Sequence, residues 1–215
     1  MTRRTLVLAA ALVAALAIAS PALGLAVHVR VEGARTSIYG AHEPRLSVFI
    51  GTLPLDDGSV RTLTQPTALG ALESASRKGE FFYNLHSASF GPYVDQIGRR
   101  QAGGFAGWVY KVNGVSPPVG ADNYVVREGD RVVWYWADFT NGSPATLDVV
   151  RRGRECYRAF AVDDQGARTA AQDVTFRIDG FAAFRPNGIV CPRAHWHRLR
   201  ATKPNLIRSE LIVRP

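Results

Sequence analysis

The chain has 215 residues, a formal net charge of +8 and 47% hydrophobic residues. This composition, with no low-complexity tract and no block of like charge, excludes a disordered chain and indicates one large or two small globular domains. The first apolar run, from Leu6 to about Ala19, is shorter than the roughly 20 residues of a membrane-spanning helix, and no later run approaches that length. We therefore expect no membrane span.

The first 26 residues have the pattern of a signal peptide. Arg3 and Arg4 form a basic n-region, an apolar stretch follows, and small residues surround Pro21. Cleavage after Gly24 and cleavage after Ala26 both fit, and the paired arginines fit either general or twin-arginine export. We expect the mature protein to be secreted, with an extracytoplasmic location in the cell envelope.

The excess of basic residues lies in the last third of the chain. Lys and Arg balance Asp and Glu between residues 25 and 144, whereas Arg exceeds the acidic residues between 145 and 215. Two interpretations stay open: a surface for an anionic cell-wall polymer, and an ordinary solvated surface of an alkaline protein. A nucleic-acid partner is not expected.

The first elements are two strands and a helix. Apolar alternation in VHVRVEG, from Val27, predicts a half-buried strand, and RLSVFIG predicts a second. The period changes in TQPTALGALESASRKG, where Thr64 is a candidate N-cap, Pro66 lies in the first turn and Gly79 ends the helix. The predicted buried stripe of this helix consists of Ala68, Leu69, Leu72 and Ala75.

Four further strand patterns complete a first domain. They are FFYNLH, GPYVDQI, GWVYKVNG and RVVWYWA, with turn signals at Asn113-Gly114 and Gly129-Asp130. A mixed sheet with one helix packed on it is the outline of a β-grasp. We therefore predict an α+β β-grasp domain over residues 27–140, followed by a linker, TNGSP.

Residues 145–215 have an all-β texture. Short strand patterns such as TLDVV, ECYRAFAVD and QDVTFRID alternate with turn signals, which predicts a small sandwich-like domain. The two cysteines, Cys156 and Cys191, both lie here. In an exported chain an even count favours one disulfide, which offsets the small core of such a domain.

Aromatic side chains are concentrated in two of the predicted strands. Alternation places Trp108 and Tyr110 on one face of their strand and Trp134 and Trp136 on one face of theirs, with Tyr135 pointing the opposite way. Each face is either core beneath the helix or a site where a flat ligand or a sugar stacks. Because a single helix covers the sheet, we expect one aromatic face to be core and the other an interface.

The predicted binding residues follow from this arrangement. Lys111 and Asn113 are expected to form polar rims of an open aromatic groove, and Tyr124 lies in the connection before the last strand. The predicted ligand-binding set is Trp108, Tyr110, Lys111, Asn113, Tyr124, Trp134 and Trp136.

No catalytic motif stands out in the sequence. A serine elbow, a phosphate-binding glycine loop and a zincin helix are missing, and Asp95 and Asp130 are lone carboxylates typical of a solvated surface. Cys191, His195 and His197 have metal-ligand chemistry, but a disulfide removes the thiolate and no further ligand is evident. We expect a protein that is not an enzyme and has no metal or cofactor.

The first domain resembles a known family. The stretch GWVYKVNG…VGADNYVVREGDRVVWYW, together with TALGALESAS and FGPYVDQI, is similar to the transcobalamin-like C-terminal domain of secreted bacterial proteins. The tail LRATKPNLIRSELIV resembles the end of the Ig-like modules that follow such domains. In vitamin B12 carriers the domain closes over the corrin, so the resemblance implies a flat ligand such as a corrinoid near Trp108.

Two functions are compatible with these observations. The first is an exported binding module that recognises a flat small ligand or a cell-envelope glycan through an aromatic sheet face. The second is a structural or protein-interaction module of the cell envelope, bound to an envelope protein and without a small-molecule ligand.

Overall fold

A computed structural model describes residues 24–214 of the chain. The predicted signal peptide therefore falls almost entirely outside the described residues. The described part is mostly β, with one α-helix and several sheets, which confirms the β-rich architecture expected from the sequence. Across these residues the structure contains no helix with the length and hydropathy of a membrane span.

The first half of the described chain contains ten strands and the helix. They are β1 (Ala26–Glu32), β2 (Ser37–Tyr39), β3 (Arg45–Ser47), β4 (Gly51–Pro54), β5 (Val60–Leu63), α1 (Ala68–Gly79), β6 (Tyr83–His86), β7 (Tyr93–Ile97), β8 (Arg100–Gln101), β9 (Ala106–Val112) and β10 (Arg131–Asp138). The main sheet has the order β2-β1-β10-β9, with β3 also paired to β1. Strands β1 and β10 are parallel, whereas β9 pairs antiparallel with β10 and forms the edge of the sheet.

Helix α1 packs on one face of this sheet. Its buried residues include the whole predicted stripe, from Ala68 to Ala75. The predicted N-cap is wrong by one turn: Thr67, not Thr64, accepts a hydrogen bond from the Gly70 amide, and Pro66 precedes the cap. The helix ends at Gly79 as predicted, because Glu80 takes a left-handed conformation.

The second half of the described chain contains eight strands. They are β11 (Thr146–Arg152), β12 (Cys156–Val162), β13 (Arg168–Ala170), β14 (Val174–Ile178), β15 (Phe181–Arg185), β16 (Ile189–Val190), β17 (Arg198–Thr202) and β18 (Ile212–Val213). One sheet has the order β11-β12-β13, with β16 paired to β12, and the other has the order β15-β14-β17-β18. A separate hydrophobic cluster that includes Phe176 and Leu199 lies among these strands. Cys156 and Cys191 form the predicted disulfide.

The two halves contact each other through buried charges. Glu32 is fully buried, and its carboxylate accepts hydrogen bonds from the guanidinium groups of Arg200 and Arg208 of the second half. Arg131 of β10 donates to Glu210 as well as to Glu43 of the first half. The sequence boundary at residues 140–144 stays a prediction, and these ion pairs link the units on either side of it.

Candidate functional site

The tryptophan face of the main sheet is core. Trp108 lies opposite Trp136 and Tyr110 lies opposite Trp134 in the register of β9 and β10. The first pair meets edge to face with ring centroids 5.5 Å apart, and the second stacks at 5.3 Å. The Trp134 indole donates a hydrogen bond of 3.2 Å to the Ala68 carbonyl of α1. This face therefore packs beneath the helix, with Trp108 7% and Trp134 2% exposed.

The opposite face is covered by the second half of the chain. Val133 and Tyr135 pack there with Val109 and Ile207. Burial raises the pKa of the Tyr135 phenol to about 12, and the nearby Asp164 carboxylate adds to the shift. Both faces of β10 are thus occupied by the protein itself.

Lys111 lies on this covered face rather than on a groove rim. Its side chain is 1% exposed, and its ammonium donates to the Asp163 carbonyl at 3.1 Å and lies 3.0 Å from the Asp164 carboxylate. The expected rim position does not hold because alternation along β9 directs Lys111 away from the tryptophans and under the second unit.

Asn113 and Tyr124 have local structural contacts. Asn113 has a φ of 52° in the turn after β9, donates to the Asp130 carboxylate at 2.8 Å and accepts from the Arg131 amide at 2.9 Å. Tyr124 packs edge to face against Tyr110, with centroids 6.2 Å apart, and its carbonyl accepts from the Ala68 amide. Asn113 therefore fixes a turn, and Tyr124 helps to position the start of α1.

A cavity of about 440 Å³ runs along the free edge of β9. Its walls include Trp108 and Tyr110 from the tryptophan face and Val109 and Tyr135 from the opposite face. Lining from both faces of one sheet is expected of a cavity beside its edge strand, which is β9 here. We refer to this cavity as the β9 groove. The other residues that line it are Leu69, Leu85, Phe90, Pro92, Tyr93, Val94, Ser116, Pro117, Val119, Gly120, Ala121, Asp122, Asn123, Trp134, Phe139, Ser143 and Asp164.

The exposed rings of the groove differ from those expected. Phe90 is 81% and Tyr93 38% exposed, with ring centroids 5.6 Å apart, whereas the ring of Trp108 is almost wholly buried. Neither ring was predicted as a site residue, because Phe90 lies in a loop and Tyr93 is the first residue of β7, where no apolar period shows what is exposed. The signal was the stretch SASFGPYV, where two aromatics flank a Gly-Pro pair that keeps the chain out of the core.

Two prolines explain why the edge of β9 is open. The chain leaves β9 through a tight turn in which Val112 and Val115 exchange both backbone hydrogen bonds. Continued pairing in that register would bring residue 117 opposite Tyr110. Pro117 and Pro118 have no amide hydrogen to donate, so the returning chain diverges and becomes the far wall of the groove.

Carboxylates are the charged groups of the groove lining. Asp164 is held by Lys111 and by the Ser116 hydroxyl at 2.9 Å. Burial raises the pKa of Asp164, but hydrogen bonds from Ser143, Lys111 and Ser116 outweigh burial and lower it overall. Asp122 pairs with Arg61 at 2.8 Å. The Tyr110 hydroxyl donates to the Val119 carbonyl at 2.7 Å, and burial raises the pKa of this phenol.

A second cavity, of about 420 Å³, lies between the two halves. It is polar, and each of its guanidinium groups already has a carboxylate partner: Arg168 with Asp148 at 2.5 Å, and Arg30 and Arg131 with Glu43. These internal pairs leave little unsatisfied charge for a ligand. The β9 groove is the stronger candidate site.

Comparison with known proteins gives one family match. Residues 66–138 match the family described as a domain of unknown function (DUF4430), which is a transcobalamin-like family domain. The match runs from the start of α1 to the end of β10 and contains Phe90, Tyr93 and the edge of β9. No curated protein matches the chain.

Proposed function

We propose that the protein is an exported, non-enzymatic binding module that takes a flat small ligand or a cell-envelope glycan in the β9 groove. The observation that carries this proposal is the pair of exposed rings, Phe90 and Tyr93, beside an open edge strand. Such rings expose apolar area to water, and a flat ligand that covers them lowers the free energy by burying this area. The groove volume of about 440 Å³ lies within the range of small-molecule sites.

Two further features support parts of this proposal. The helix packed on a mixed sheet supports a β-grasp as the first domain, and the two facing sheets after residue 145 support an Ig-like second domain. The disulfide supports an oxidising, extracytoplasmic location. A corrinoid is the flat ligand that the family resemblance implies, and it is the first one to test.

A structural or protein-interaction module of the cell envelope is the second candidate function. Strand β15 is the edge of its sheet, and its Phe181 and Phe184 are 80% and 56% exposed. An uncovered edge strand with two exposed aromatics is a typical contact surface for another protein. This surface lies in the second half of the chain, so the two functions can be tested separately.

The test uses two identical substitutions at equally exposed phenylalanines. Tryptophan fluorescence and titration calorimetry measure binding of cobalamin, haem and cell-wall glycan fragments to the purified protein, Phe90→Ala and Phe181→Ala. Binding that weakens by about 2 kcal/mol in Phe90→Ala, and stays unchanged in Phe181→Ala, supports the groove as the site. Ligand binding that is insensitive to Phe90→Ala contradicts it.

A further inference from the structure

The register of β9 determines which of its backbone groups face the groove. The Asn113 amide donates to the Arg131 carbonyl, and the Phe139 amide donates to the Phe105 carbonyl, so odd-numbered residues bond to β10. The amide and carbonyl groups of even-numbered residues therefore point outward. At Trp108 and Tyr110, no hydrogen bond within residues 24–214 reaches these outward groups. The groove thus contains two backbone donors and two backbone acceptors.

The unpaired section of the β9 edge is short, and a hydrogen-bonded turn bounds it at each end. Before it, Gly103 and Ala106 exchange both backbone hydrogen bonds, and after it Val112 and Val115 do the same. Between the two turns, residues 108–110 have no backbone partner on this side among the described residues, which is about 10 Å of strand. A long extended peptide that added a strand here would meet the two closed turns, whereas a compact ligand would not.

The charges of the groove restrict its ligand further. Asp122 and Asp164 line it, and among its lining residues there is no Lys, Arg or His. The protein as a whole is basic, with a net charge of +8. Both carboxylates already have cationic partners, Asp122 with Arg61 and Asp164 with Lys111. The groove lining thus offers no cation to a polyanion such as a phosphate-rich wall polymer, whereas a neutral ligand that exchanges hydrogen bonds suits it.

We infer that the β9 groove recognises an N-acetylated sugar, the N-acetylhexosamine unit of an envelope glycan. This inference rests on the proposed function and narrows its ligand class. The acetamido carbonyl accepts a hydrogen bond from an outward amide of Trp108 or Tyr110. Its N–H points the opposite way in a trans amide and donates across the groove to a wall acceptor such as the Asp164 carboxylate. The apolar face of the ring covers Tyr93 and Phe90.

The experiment compares two neutral trisaccharides that differ at the acetamido position. Tri-N-acetylchitotriose and cellotriose are titrated into ¹⁵N-labelled protein and followed by NMR and calorimetry. Chitotriose should bind about tenfold or more tightly than cellotriose, because cellotriose lacks the acetamido hydrogen bonds. It should also shift the amide signals of Trp108 or Tyr110 and slow their hydrogen exchange. The amides of Val109 and Lys111, already bonded to β10, are the internal control.

Each other outcome has a defined meaning. Equal affinity for the two trisaccharides overturns acetamido recognition and leaves the groove as a binding site. Binding of cobalamin or haem in the groove, without binding of chitotriose, also overturns acetamido recognition and also leaves the groove as a binding site. Tighter binding of a capped pentapeptide of alternating Thr and Val, with the same amide shifts, replaces the sugar by a peptide. If no probe shifts a residue of the groove, the inference and the proposed function both fail.

Discussion

The Lys111 ammonium of β9 lies 3.0 Å from the Asp164 carboxylate of the second half of the chain. The lysine side chain is 1% exposed and the aspartate side chain 30%. The same ammonium donates to the Asp163 carbonyl, so a buried cation is satisfied wholly by the second unit. This pair places the second unit against the sheet and brings Asp164 to the groove wall.

We expect Lys111→Ala to lower the free energy of unfolding by about 2–4 kcal/mol, because the change leaves the Asp163 carbonyl without its side-chain donor and the Asp164 carboxylate without its cation. Lys78→Ala, at an exposed position of α1, is the matched control and should change it by less than about 0.5 kcal/mol. Denaturant unfolding followed by tryptophan fluorescence measures both. A Lys111→Ala protein as stable as the control would contradict the coupling of the two units.

The two kinds of aromatic near the groove should respond differently to truncation. Trp108→Ala should destabilise the protein by about 3–5 kcal/mol, because a buried indole is lost and a cavity remains. Phe90→Ala, at a largely exposed ring, should change stability by about 0.5 kcal/mol or less. Thermal and denaturant melts without ligand separate these results. Similar costs at both positions would mean that the assignment of core and groove is wrong.

The disulfide should stabilise the second unit. Cys156 and Cys191 are 35 residues apart in sequence, and closing such a loop contributes about 3 kcal/mol on the loop-entropy account. We expect Cys156→Ser/Cys191→Ser to lose stability of this order, and alkylation followed by mass spectrometry to find no free thiol in the native protein. Two alkylated cysteines in the unreduced protein would rule out the bond.

Two glutamates between the units should titrate with opposite effects on stability. Burial raises the pKa of Glu43, but Arg30 and Arg131 outweigh it and hold the pKa below 4.5. For Glu210, burial and the charge of Glu43 outweigh Arg131 and raise the pKa above 4.5. The stabilisation of the folded state by Glu43 is therefore present above pH 4.5 and lost as the pH falls through the lowered pKa of this carboxyl group. The stabilisation by Glu210 is present below pH 4.5 and lost as the pH rises through the raised pKa of this carboxyl group.

Two variants test whether the stabilisation by Glu43 and the stabilisation by Glu210 change in opposite directions with pH. Relative to the native protein, Glu43→Gln should be most destabilised near neutral pH and least in acid. The stability difference for Glu210→Gln should change in the opposite direction. Denaturant unfolding at a series of pH values measures both differences. Parallel pH dependences in the two variants would contradict the assignment.

Much of the local structure could be predicted from residue patterns. Alternation from Val27 identified β1, and the apolar stripe from Ala68 to Ala75 identified α1, because burial of one face leaves such patterns. The prediction that β1 is half-buried was wrong for its second half, since Arg30 and Glu32 on the other face are also buried. The hairpin strand β15 was missed, although Asp179-Gly180 is a turn signal, because its side chains are mostly exposed and do not alternate.

The candidate site was harder to predict. Periodicity shows that Trp108 and Tyr110 share a face, but it does not show which partner covers that face. The covering of Lys111 depends on Asp164, more than 50 residues away in sequence. Phe90 and Tyr93 form the exposed part of the site, Phe90 from a loop that has no period and Tyr93 from the first position of β7. Long-range packing of this kind leaves no mark on local patterns.

The most direct test of the β9 groove is to map a bound ligand on the protein by NMR. Whichever of chitotriose, cobalamin and haem binds should shift the signals of Tyr93, Trp108, Tyr110 and Val119 together. Signals of Asp148 and Arg168, at the polar cavity between the units, should stay in place. Shifts confined to the polar cavity or to Phe181 and Phe184 of β15, with the groove unchanged, would contradict the groove as the binding site.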